Sequence, residues 1–186
     1  MLFPGWPSMS RVVGLIGAFL ICCASPAATL QQLSLGEMTQ DATAIVRARV
    51  TGSSARFTGS TIYTHYALQV TESWKGFAPA EVLVPGGVAN GIRQSFPGVP
   101  ELKVGTEYVL FLWTSRSTGI THIVGLQQGL FNIATQSDGS MLASRPLIGE
   151  VILDSHGRRV PDHAVSMALT ALRSQVSHAL IAGVPK

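Results

Sequence analysis

The chain has 186 residues, 46% of them hydrophobic and 12% charged, with a mean hydropathy of +0.33 and a formal charge of +3. It is too apolar for a disordered polypeptide and too weakly basic to suggest nucleic acid or an anionic membrane as partner. Both cysteines, Cys22 and Cys23, lie near the amino terminus, so the rest of the chain can hold neither a disulfide nor a thiolate metal site.

The first stretch, "MLFPGWPSMSRVVGLIGAFLICCASPAATLQQ", places Arg11 before an apolar run from Val12 to Ala24, followed by the small residues Ser25, Ala27 and Ala28. That is the layout of a secretory signal peptide, with an apolar segment too short to span a bilayer stably. Cleavage is expected after Ala27. A lipoprotein signal at Cys22 or Cys23 fits less well, because Ile21 and Cys22 stand where a small residue should precede the modified cysteine. The expected organisation is therefore a signal peptide over 1–27 and one domain over 28–186, secreted or periplasmic, with no membrane span in the mature chain. Loss of Arg11 with the leader lowers the charge from +3 to +2.

In the mature chain, Ser34 followed by Glu37 is a capping-box pattern and predicts a short amino-terminal helix. From Ala44 the period changes. Ala44, Val46, Ala48 and Val50 alternate with Ile45, Arg47, Arg49 and Thr51, the two-residue repeat of a half-buried strand with its arginines in solvent. "STIYTHYALQVTESWKG" continues the rhythm and predicts a hairpin partner, joined through "GSSARFTGS". "EVLV" is a third strand, closed by Pro85. Residues 85–105, "PGGVANGIRQSFPGVPELKVG", then show no clear helix or strand, and a connection of this length inside a compact domain usually has a function.

"EYVLFLWT" is apolar from Tyr108 to Trp113 and needs cover on both faces. In "THIVGLQQGLFNIA" the alternation breaks at Gln128 and Gly129, the mark of a bulge or bend. Ser137, Asp138 and Gly139 predict a turn into a sixth strand near Met141 to Ser144. From Asp162, a candidate N-cap, Val165, Leu169, Leu172, Val176 and Leu180 recur at helical spacing, and Gly183 with Pro185 ends the pattern.

The order "IYTHYALQVTESWKG", "VPGG", "GVPELKVGTEYVLFL" and "VGLQQGLFNI" resembles a set of secreted bacterial proteins with a five-stranded OB-like barrel. Their layout is similar to the netrin-like module, the fold of the tissue inhibitors of metalloproteinases. Tyr63, Thr64, Lys75, Gly76, Gly86, Gly87, Gly98, Pro100, Gly105, Phe111, Leu112, Gly125 and Gly129 carry the resemblance over about half the chain, and most are turn glycines or core apolars that speak to fold. Those inhibitors act through an amino-terminal cysteine on zinc, which this mature chain lacks. The resemblance implies a mainly β domain: a five- to six-stranded antiparallel OB-like barrel with a short amino-terminal helix and a carboxy-terminal amphipathic helix. It also implies binding at the loops or along one face.

Few residues suggest chemistry. His65 and His122 fall on strands as polar surface positions. "DSHGRRVPDH" gathers Asp154, Ser155, His156, Asp162 and His163, but its spacing matches no zinc helix and no nucleophile elbow, and turn and capping tasks suffice for its acids. Glu72, Glu81, Glu101, Glu107 and Glu150 are scattered and propose no acid–base pair. Tyr63, His65, Arg47 and Arg49 would be the face for nucleic acid, which export and charge argue against. The candidate binding residues are Asn90, Arg93, Gln94 and Phe96, on a glycine-punctuated loop of a rigid scaffold. The same loop could instead plug the barrel through Ile92, Phe96 and Val99.

The expectation is a non-enzymatic binding module without cofactor or metal, whose partner is another exported protein. An inhibitor or accessory of an exported protease is its specific form. The alternatives are a hydrolase or metal site on the Asp154–His163 segment, and a structural envelope protein with no discrete site.

Overall fold

The computed structural model describes residues 29–183 and is mainly β with two helices. The signal peptide, its cleavage after Ala27 and the helix stop at Pro185 lie outside the described residues. In chain order the elements are β1 (Thr29–Gln31), α1 (Leu35–Asp41), β2 (Ala44–Thr58), β3 (Thr61–Lys75), β4 (Glu81–Pro85), β5 (Gly87–Ala89) and β6 (Ile92–Gln94). There follow β7 (Glu107–Thr114), β8 (Thr121–Ile123), a 3-10 turn (Leu126–Gly129), β9 (Leu130–Thr135), β10 (Met141–Arg145), β11 (Val151–Leu153), β12 (Arg159–Val160), β13 (Val165–Ala168) and α2 (Leu169–Ala182).

The main sheet runs β13-β10-β9-β7-β2-β3-β4, with β8 beside the end of β7, and every pair in it is antiparallel. It has eight strands, not five or six. It is also open: β8 lies close to β4, where His122 Nδ1 is 3.2 Å from Leu83 O, but no ladder joins the two among the described residues. The closed barrel expected from the sequence is not found. A small second sheet adds a parallel pair, β1 with β11, and an antiparallel one, β11 with β12.

Local chemistry explains most of the elements. Ser34 Oγ accepts from Glu37 N and the Glu37 carboxylate accepts from Ser34 N, which is the capping box that starts α1. At its other end Lys75 Nζ donates to Thr39 O and Gln40 O, so a cation from β3 satisfies the last carbonyls. β2 and β3 each run 15 residues, so "GSSARFTGS" is mostly strand, not the expected connection. Register shifts at Ile45/Val46 and Arg47/Ala48 leave Trp74 and Thr71 as extra residues on β3, and the shift at Val50/Gly52 leaves Thr51 extra on β2; bulges of this kind bend both strands and curl the sheet. The break at Gln128 and Gly129 is the 3-10 turn between β8 and β9. Gln128 is buried there, accepting from Leu33 N and donating to Gln31 O, and so pins the segment after β1.

Two cores flank the sheet, an inner one on the face that carries Val46 and an outer one beneath α1 and α2. On one face Val46, Ala48 and Val50 of β2 meet Tyr66, Val82, Val84, Leu102, Tyr108, Leu110 and Leu112. On the other, Ile45, Val109, Phe111 and Phe131 meet Met38 of α1 and Leu169, Leu172 and Val176 of α2. The doubly apolar strand β7 is covered on both sides through Leu112, and only Trp113, 45% exposed, escapes. α2 is shorter than expected. It begins at Leu169, because Val165–Ala168 pairs with β10 as a strand, and Asp162 is not its N-cap. Asp162 instead takes Arg145 Nη2 at 3.0 Å and Ile148 N at 2.7 Å. Burial pushes this carboxyl up, but the guanidinium and the amide outweigh it and hold it below its usual range.

Candidate functional site

The 85–105 segment divides into two parts. Gly87–Ala89 and Ile92–Gln94 form an antiparallel hairpin, closed by Asn90 at φ 52° and Gly91 at φ 77°. Two consecutive positive φ angles define the mirror-image turn that matches strand twist, and Asn-Gly is its preferred sequence. The rest folds back, with Leu102 buried in the inner core and Val99 packed against it. The residues that pack back onto the sheet are Val99 and Leu102, whereas Ile92 and Phe96, expected to plug a barrel, stay 53% and 41% exposed.

The hairpin is fastened at its base. A Cβ at Gly87 would lie 2.5 Å from Thr64 Oγ1 and 3.0 Å from Ala55 Cβ, so only glycine lets β5 sit flush on β2 and β3. Gln94 Oε1 accepts from Ile62 N at 2.6 Å and its Nε2 donates to Ser60 O at 3.0 Å. Of the four candidate residues, Gln94 is therefore committed to holding the hairpin. Asn90 sits at the turn, and Arg93 and Phe96 are exposed. Arg93, Gln94 and Phe96 share an open cleft of about 200 Å³ with Thr64, Tyr66 and Glu101. Asn90 is not among the residues lining it. Val88, across from Arg93, is 49% exposed, so one face of the hairpin presents an apolar side chain beside a guanidinium and the other face presents Ile92.

The other sequence candidates are placed differently from expectation. Arg47 does not face solvent: its side chain is 16% exposed, with Glu72 at 2.8 Å and Glu107 at 3.0 Å. Two of the five acids judged scattered, Glu72 and Glu107, are thus brought together by an arginine. Hydrogen bonding from the Trp74 indole N–H, then from Arg47, holds Glu72 below the usual carboxylate range, and Arg173 of α2 joins the same carboxylate at 3.1 Å. Salt-bridged carboxylates of this kind make structure, not general acid–base chemistry. His65 is likewise buried, 6% exposed, between Arg56 and Glu81. With Arg47 occupied and His65 buried, the four residues considered for nucleic acid form no exposed face.

In the Asp154–His163 segment, Asp154 accepts from His156 N and Arg158 N and pairs with Arg158, the bonding of a turn. Asp162 is engaged by Arg145, and His156 and His163 are exposed. Among the described residues no group of three His, Cys, Asp or Glu side chains could hold a metal ion. No protein-family model matches the chain, and no curated protein matches it significantly.

Proposed function

We propose that the protein is a non-enzymatic binding module, exported to the periplasm or beyond, whose contact surface is the β5–β6 hairpin with the cleft beside it. The observation that carries this reading is the hairpin itself. Val88, Ile92 and Phe96 are exposed together with Arg93 on a hairpin whose base is fixed to β2 and β3, Val88 and Arg93 sharing one face and Ile92 lying on the other, and a rigid scaffold that presents exposed apolar side chains and an arginine suits a protein contact. A curled OB-like sheet, nearly closed at β4 and β8, belongs to the same reading, since such folds bind at their loops. The partner is then another exported protein, and inhibition or assistance of an exported protease is the narrower form.

Capture from a periplasmic extract tests it. Wild type is compared with a protein in which residues 88–93 are replaced by a glycine-serine linker and with the double variant Ile92→Ser, Phe96→Ser. The expected result is a discrete partner retained by wild type and lost from both variants, whose melting curves stay close to wild type. Equal capture by all three proteins removes the hairpin from consideration. Partners that are proteases are then assayed for a change in rate on adding the wild-type protein.

A further inference from the structure

His65 occupies a position that the binding surface itself does not use. Its Nδ1 lies 3.0 Å from Arg56 Nη2 and 3.2 Å from Glu81 Oε2, and its Nε2 is buried with no polar partner among the described residues. A ring nitrogen offers either a lone pair or a proton, never both. With a lone pair on Nδ1, Arg56 donates to it and the Glu81 oxygen faces electrons. With a proton on Nδ1, Glu81 accepts it and the Arg56 N–H meets another N–H. The two neighbours therefore select opposite states of one atom.

We propose that protonation of His65 exchanges Arg56 for Glu81 as the partner of Nδ1 and loosens the β2–β3 tip on which the hairpin rests, so that the contact surface responds to pH. The consequence for binding rests on the function proposed above; the exchange itself does not. In the neutral ring Arg56 donates to Nδ1 and Nε2 carries the hydrogen. On acidification a proton from solvent adds to Nδ1, and the resulting cation donates to Glu81 and repels the guanidinium. Arg56 is the group free to leave, because it is exposed at the tip while the ring is enclosed. It also stands next to Ala55, whose side chain abuts the hairpin at Gly87. The charged groups that face the ring are Arg56 from β2 and Glu81 from β4. On the neighbouring β8, His122 is held by Leu83 O, and its ring is tilted at 47° to that of Tyr63 of β3 with the centroids 6.0 Å apart. Histidine is the side chain that ordinarily changes charge between about pH 5 and 8.

Imidazole ¹⁵N spectra and amide hydrogen exchange of the free protein test this, each run at about pH 7.5 and about pH 5 and corrected for intrinsic exchange rates. In wild type Nδ1 is expected to gain a proton, with protection over residues 53–62 and 87–94 falling about three- to fivefold, the scale of one exposed charged contact. His65→Gln is expected to lose that response. Arg56→Met is expected to show the lower protection at both pH values. Glu81→Gln, which removes the acceptor while leaving the ring in place, moves the transition to lower pH and covers the case in which His65→Gln fails to fold. An unchanged Nδ1 over this range, or the same pH response in His65→Gln as in wild type, overturns the proposal. An exchange response in a protein that captures no partner at any pH sinks the binding reading alone, and hairpin-dependent capture with a flat exchange profile sinks this one alone.

Discussion

Arg47 shows how a single residue changes meaning between sequence and structure. On an alternating strand an arginine reads as a solvent position, and at Arg49, which is exposed and donates to Gly105 O, that reading holds. Two residues earlier the same face is roofed by α2, and Arg47 becomes the cation between Glu72 and Glu107, whose side chains are 29% and 14% exposed. Arg47→Met leaves Glu107 without its counter-charge and Glu72 with only the exposed Arg173, so it is expected to cost about 3 kcal/mol in urea denaturation at neutral pH. The sign of the pH effect follows from Glu72, whose folded pKa is depressed by the Trp74 indole first and Arg47 second. Its contribution is fully present above the unfolded value and is lost as pH falls through the folded one, so wild type loses stability below about pH 4. In Arg47→Met that acid slope shrinks but persists, because the larger cause is untouched. Denaturation between pH 7 and pH 3 measures both slopes, and a slope as steep in the variant as in wild type would refute the role given to Arg47.

Among the elements, α1 and β7 were legible because their signals are local and unambiguous: a reciprocal Ser34–Glu37 cap, and five consecutive buried apolar residues from Tyr108 to Leu112. The start of α2 was not, since Val165, Met167 and Leu169 fit period two as well as Val165, Leu169 and Leu172 fit the helix. Only the pairing partner β10 decides between them. The hairpin β5–β6 was missed although Asn90-Gly91 announces its turn, because three residues on each side are too few to show a period. Arg93 and Phe96 are candidates by residue type and both are exposed, but the role of Gln94 as a fastener was invisible, for its partners at Ser60 and Ile62 are set by the β2–β3 tip. Gly91→Val tests the turn. A Cβ there would meet nothing within 4 Å, so the cost is purely conformational, about 2 kcal/mol for a β-branched residue held at positive φ. Exchange protection at residues 87–94 is expected to fall while that of β7 is unchanged. Equal protection in the variant and wild type would mean that the turn is not held in this form.

At the scale of the whole molecule, stability comes from two apolar layers pressed on one curled sheet, with no disulfide among the described residues to help. Of the hairpin only Ala89, beside the turn, is buried, and it belongs to neither layer, so the proposed contact surface and the stability of the fold are separable in this architecture. The outer layer depends on α2, which touches the sheet through Leu169, Leu172 and Val176 and without which Val109 and Phe111 would face water. Leu172 and Val176 are fully buried, whereas Ile181 on the same helix is 84% exposed. Leu172→Ala is expected to cost about 3 kcal/mol through lost transfer energy and the cavity left behind. Leu172→Asp should cost more, since an unpaired carboxylate must be desolvated or α2 must lift away. Its lifting predicts a protein that keeps β circular dichroism, binds a hydrophobic dye and loses its cooperative melt. Ile181→Asp places the same charge on the same helix in water and is expected to shift stability by less than about 0.5 kcal/mol. If Leu172→Asp melts as cooperatively as Ile181→Asp, the helix does not hold the outer core, and the two-layer account of this fold fails with it.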